Sequence, residues 1–179
     1  VTRQIITEEL SKGAVIAQYA GHGGRVVWAH EIIFDNYAVQ RLQETDKLPF
    51  LLVFSCYNGY FDKPGTPSLA ESLLRLPKSG IIGMLSATRL TYASGNDALN
   101  KIIFDNIFKR NMRGLGEIAF DSKLEVLITD GYGQFEVMQQ YTLFGDPATK
   151  IAMAEYEITP EIPEPTVKPG GMLRIAPGK

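Results

Sequence analysis

Phe50-Leu51-Leu52-Val53-Phe54-Ser55-Cys56-Tyr57-Asn58-Gly59 passes from five consecutive apolar residues straight into loop chemistry, with the only cysteine of the chain at the junction. An apolar run without alternation suits a parallel strand buried on both faces, and the Asn-Gly that follows favours a turn. The pattern recurs on both sides. Ala14–Ala20 reads as a mostly apolar strand ending at Gly21-His22-Gly23-Gly24, and Gly80–Leu85 as a third buried strand before a loop from Ser86 to Ser94. Helical segments separate them. A short helix is expected over Thr7–Lys12, stopped by Gly13, and a loosely periodic one from about Ala29 to Leu42. The next begins near Thr66-Pro67-Ser68, either with Thr66 as cap and Pro67 in the first turn or with Ser68 as cap and Glu71 closing a box, and ends before Pro77. Longer helices are expected over roughly Asn96–Arg110, with Leu99, Ile102, Ile103 and Ile107 on the apolar face, and over Leu115–Leu127; Phe135–Thr142 then leads into Leu143–Pro147. Strands alternating with helices imply right-handed crossovers, hence an α/β fold with a mainly parallel sheet and helices on both faces.

Composition narrows the function classes. The chain has 179 residues, 45% hydrophobic and 21% charged, enough for one well-buried core. A formal charge of -2 gives no general attraction to nucleic acid or anionic lipid. No apolar run reaches the ~18–20 residues of a membrane span. One cysteine and two histidines are too few for a zinc site, so no metal and no cofactor is indicated; a structural calcium held by oxygens stays compatible with the sequence. Five of the ten prolines fall in the last 25 residues. Residues 1–154 therefore read as one domain and 155–179 as an extended linker, with Gly171–Ala176 as the first strand of a following β domain.

In open α/β sheets, sites lie beyond the carboxyl ends of the strands. His22 follows the first expected strand and Cys56 the second, and the 29 residues from Gly21 to Pro49 suffice for a crossover. If those strands are neighbours, imidazole and thiol share one cleft, the minimal kit for thiolate catalysis. The Gly23 and Cys56 amides then become candidate donors to a developing oxyanion. The same residues admit a plainer reading: a free cysteine is commonly core filler, and Gly-His-Gly is commonly a tight loop. His30, beside Glu31, reads as a surface or satisfied residue. The Gly21 loop lacks the spacing and the lysine-serine ending of a phosphate cradle.

Beyond this, the residues resemble a family. Tyr19-Ala20-Gly21-His22-Gly23-Gly24 with Trp28-Ala29-His30-Glu31 resembles the catalytic-histidine segment of the gingipain family of cysteine peptidases, in the caspase-like clan. Leu52–Gly59 is similar to that family's nucleophile segment, Ala70–Arg75 to its next helix, Ser86–Ser94 to its substrate-cleft loop and Leu143–Ala148 to its closing strand. The five segments occur in order across roughly Ser11–Ala152.

The resemblance implies a caspase-like domain with His22 as general acid and base, Cys56 as nucleophile, and the Gly23 and Cys56 amides as oxyanion hole. It implies that the main chain of Leu90, Thr91 and Tyr92 pairs with an extended polypeptide substrate. Tyr92 stands where arginine-specific relatives have tryptophan. Asp146 reads as a turn-former beside Pro147. The resemblance also places two strands and two acids upstream of Val1, so the sheet is expected to be incomplete on its N-terminal side. An upstream chain would complete it, or the exposed edge would self-associate.

The expected function is a secreted or cell-surface cysteine endopeptidase acting through a Cys56 thioester. A transpeptidase that processes sorting domains in a bacterial secretion system would use the same site. An idle scaffold on the same fold would need neither His22 nor Cys56.

Overall fold

The computed structural model describes residues 1–130 and 135–154, with the backbone of the short pair Pro160–Glu161 and Ala176–Pro177. In chain order, helix α1 (Thr2–Lys12) leads into strand β1 (Ile16–Ala20), followed by two-residue strands β2 (Gly23–Gly24), β3 (Val27–Trp28) and β4 (Phe34–Asp35) and the short helix α2 (Asn36–Val39). Then come β5 (Phe50–Phe54), α3 (Leu69–Leu74), β6 (Gly83–Ala87), α4 (Ala93–Phe104), α5 (Leu115–Asp130), α6 (Phe135–Gln140) and β7 (Tyr141–Gly145). The main sheet has the order β1-β5-β6-β7, with β1, β5 and β6 parallel and β7 antiparallel to β6.

The apolar run at β5 makes this sheet a middle layer. Phe50, Leu52 and Phe54 face one core with Leu99, Ile103, Ile107, Leu115 and Ile118, under α4 and α5. Leu51 and Val53 face the other, with Ala38, Val39, Leu69 and Leu73 from α2 and α3. A strand covered on both sides gains ~1.5–3 kcal/mol from each large apolar side chain it buries, so alternation with polar residues would waste half the positions. β1 is different: it is an edge strand, only partly buried.

Ser68 caps α3, as the second of the two expected starts required. Its hydroxyl accepts from the Glu71 N–H at 3.3 Å while Glu71 Oε2 accepts from the Ser68 N–H at 2.9 Å. Ser68→Ala should cost about 1 kcal/mol, read as a lowered denaturation midpoint.

The sequence reading fails in identifiable places. No helix spans Ala29–Leu42: the chain forms the antiparallel β2-β3-β4 hairpins, and helix survives only as α2. Trp28 stacks on Tyr19 with ring centroids 4.4 Å apart and meets Phe34 at 4.8 Å. Burying those rings bends the chain at Ala29 (φ 58°) and Ile32 (φ 54°), both outside helical geometry. Local periodicity yields here to tertiary packing. The third strand begins at Gly83, not Gly80, and runs through Ser86 and Ala87, which lack the apolar signature of a buried strand or are too small to carry it. α1 starts five residues earlier than expected; only Ile6 and Leu10 reach the core, too few to mark its length. The linker expected over 155–179 and its strand at Gly171–Ala176 lie outside the described residues, except for the backbone of Pro160–Glu161 and Ala176–Pro177, which pair antiparallel.

Candidate active site

Parallel pairing of β1 with β5, in register from Ile16↔Phe50 to Ala20↔Phe54, sends both chains off the same sheet edge. The Gly21 N–H donates to Phe54 O at 3.2 Å, extending that pairing by one step. His22 and Cys56 then line one cleft of about 350 Å³, shared with Thr91, Asn96, Asp97 and Asn100. His22 is exposed and Cys56 half-buried, so the sulfur has a route to solvent. A wider groove of about 1110 Å³ runs along α1 and α2 and contains neither residue.

The histidine loop is fixed through its backbone. His22 O accepts from the Tyr19 hydroxyl at 2.6 Å and from the Ala29 N–H at 2.7 Å. Partial burial pushes the Tyr19 phenol above its usual pKa, which keeps it a donor. The His30 ring lies 5.5 Å from that of His22. His30 is exposed, as the sequence suggested, but it neighbours the site.

The cysteine loop is fixed by a sharp turn and by polar ties. Tyr57 adopts φ 62°, a left-handed conformation unfavourable for a side chain of its size. Its N–H donates to Arg89 O at 3.2 Å, and the Gly59 N–H donates to Ala87 O at 2.9 Å. Arg89 pairs with both oxygens of Asp62, at 3.0 and 2.6 Å, with its guanidinium 4.6 Å from the centre of the Tyr60 ring. This ties the loop after Cys56 to the residue before Leu90.

The two loops are also joined to each other. Asn58 is completely buried. Its Oδ1 accepts from the Ser55 hydroxyl at 2.6 Å, and its Nδ2 donates to Val27 O at 3.1 Å and to Gly24 O. One carboxamide thus connects the strand end that carries Cys56 to the hairpin that follows His22. Gly23 packs so closely that a Cβ there would sit 2.6 Å from Ser55 Oγ.

Of the expected substrate segment, only Thr91 reaches the sulfur: its N–H lies 3.5 Å from Cys56 Sγ and its carbonyl 3.6 Å. Leu90 and Tyr92 flank it and are 45% and 62% exposed. Asp146 forms the expected turn, accepting from the Ala148 N–H at 2.9 Å. Ser55, Asn96 and Tyr141 gave no functional signal in the sequence, and Asn58 read only as half of an Asn-Gly turn. Among the described residues, no group of three or more His, Cys, Asp or Glu is placed to hold a metal ion, and no helix is long and apolar enough to cross a membrane.

Known proteins resemble this chain in sequence and fold. Gingipain R2 of Porphyromonas gingivalis is 29% identical over 159 residues, covering 83% of this chain and 21% of the relative. Gingipain R1 of the same organism is 28% identical over 159 residues, covering 83% of this chain and 16% of the relative. The chain therefore spans about a fifth or less of the curated relatives it matches. Among solved structures, the complex of Porphyromonas gingivalis RgpB pro- and mature domains superposes with a TM-score of 0.71 at 26% identity, covering 84% of this chain and 37% of that one. The Arg-specific cysteine proteinase gingipain R gives a TM-score of 0.74 at 24% identity, over 91% of this chain and 39% of that one, and at that identity speaks for the shared fold. The model of peptidase family C25 matches residues 1–152, so the chain belongs to that family.

Proposed function

We propose that this chain carries the nucleophile and the acid–base group of a cysteine endopeptidase. Cys56 Sγ attacks a peptide carbonyl while His22 takes the thiol proton. The imidazolium then protonates the leaving amine, and a thioester remains on Cys56. Water, deprotonated by His22, hydrolyses the thioester and restores the thiol. Donors for the oxyanion are the Gly23 and Cys56 amides, each of a kind worth roughly 3–4 kcal/mol in the transition state. An extended substrate lies along Leu90, Thr91 and Tyr92. The chemistry calls for no cofactor. One observation above all supports the reading: imidazole and thiol line a single solvent-open cleft.

The protein as a whole extends the same reading. β1 is a partly buried edge beside fully buried β5 and β6, which supports an upstream segment adding strands there. A secreted or cell-surface location accompanies the family resemblance.

A peptidyl chloromethyl ketone tests the site directly. Mass spectrometry should find a single adduct, on Cys56. No adduct, or one on another residue, overturns the reading.

A further inference from the structure

A run of polar groups outside the catalytic pair ends on the sulfur. The Tyr141 hydroxyl donates to Asn96 Oδ1 at 2.7 Å, Asn96 Nδ2 donates to Thr91 Oγ1 at 3.2 Å, and Thr91 Oγ1 lies 3.9 Å from Cys56 Sγ. The direction of this chain is set at its far end. Tyr141 is fully buried, and that burial above all holds its phenol far above the usual pKa, so it stays protonated and donates. With Oδ1 engaged by the phenol, the carboxamide presents its NH2 to Thr91. A carboxamide nitrogen accepts nothing, so Thr91 Oγ1 must be the acceptor there, and its own hydrogen is left to point elsewhere. Within its reach are the Tyr141 phenol oxygen and the sulfur; the sulfur is the one that becomes charged on ionisation, and the Thr91 N–H already donates to it at 3.5 Å.

We propose that Thr91 supplies two donors, its main-chain N–H and its hydroxyl, to the Cys56 thiolate, and that Asn96 and Tyr141 are positioning residues that hold the hydroxyl in its donating orientation. The inference rests on Cys56 being the nucleophile. In the resting thiol, S–H donates to Thr91 O at 3.6 Å. When His22 takes that proton, the carbonyl contact loses its hydrogen and the two donors remain, now facing a negative charge. Donors to an ionised acceptor are roughly twice as strong as neutral ones, so the arrangement favours the thiolate over the thiol. The other titratable groups near the sulfur are His22 across the cleft, Asp97 from α4, Tyr57 next in the chain and Tyr141 from β7.

The test is alkylation of Cys56, the only cysteine of the 179-residue chain, by iodoacetamide across about pH 5 to 9. Thr91→Val, which keeps the shape and removes the hydroxyl, should slow alkylation about tenfold near neutral pH and move the profile to higher pH. Thr91→Ser should recover the rate to within about threefold. Tyr141→Phe and Asn96→Leu should each slow it about threefold in the parent, yet add nothing to Thr91→Val, because they act through the same hydroxyl. Wild-type rate and profile in Thr91→Val overturn the proposal, as does a full additional slowing when Tyr141→Phe is combined with it. If Thr91→Val does not fold, an unchanged profile in the near-isosteric Tyr141→Phe overturns it alone. Alkylation needs no peptide turnover. A protein that shows the Thr91 dependence but cleaves nothing therefore contradicts the peptidase reading and leaves this one standing.

Discussion

Gly23→Ala should lower kcat/KM for peptide hydrolysis by a factor on the order of 10² or more, because a shift of about 1 Å in a reacting group costs that much. The added methyl would sit 2.6 Å from Ser55 Oγ, 3.0 Å from Ser55 Cβ and 3.2 Å from Asn58 Oδ1. None of these atoms gives way easily. Ser55 lies directly before Cys56 with 1% of its surface exposed, and Asn58 is fully buried and bonded on both sides. The loops must therefore part, and what they carry is the imidazole on one side and the thiol on the other. Overpacking of this kind also costs about 1–3 kcal/mol of stability, so the kinetics should be read well below the denaturation midpoint. Near-normal kcat/KM in a folded Gly23→Ala protein would show that the spacing of the two loops does not control the chemistry.

Asn58→Leu should produce a large loss of stability, about 3 kcal/mol or more by urea unfolding, together with loss of activity. Leucine approximates the shape but satisfies nothing. The Ser55 hydroxyl loses its acceptor in a fully buried place, and the half-buried Gly24 O and Val27 O lose a shared donor. Each stranded buried group costs roughly 1–3 kcal/mol. Asn58→Asp keeps the acceptor for Ser55 but sets a buried carboxylate oxygen against Gly24 O and Val27 O, so it should destabilise at neutral pH at least as much as leucine. A cost for Asn58→Leu below about 1 kcal/mol, the range of an exposed polar residue, would contradict the role of this carboxamide as the tie between the loops.

The contrast between what the sequence reveals and what it hides follows from how each feature is encoded. β5 is legible because burial on both faces demands an unbroken apolar run, and Phe50–Phe54 meets that demand residue by residue. The Ser68–Glu71 box is legible because its two bonds are local. His22 and Cys56 can be brought together in advance because parallel topology alone puts successive strand ends at one edge. The hairpins after His22 are hidden: their cause is the stacking of Trp28 on Tyr19, a contact with no local signature. Asn58, Asn96 and Tyr141 are hidden for the same reason. An asparagine in a turn and one that ties two loops have the same letter, and only the partners, 31 and 45 residues away for Val27–Asn58 and Asn96–Tyr141, tell them apart.

The central claim is that His22 and Cys56 act on the same bond. Its most direct test is hydrolysis of an unbiased peptide mixture by the intact protein, its Cys56→Ala form and its His22→Ala form, with products identified by mass spectrometry. Cleavage by the parent should fall to the uncatalysed background in both variants, while their denaturation midpoints stay close to that of the parent. Cleavage that survives either substitution in a folded protein would contradict the account.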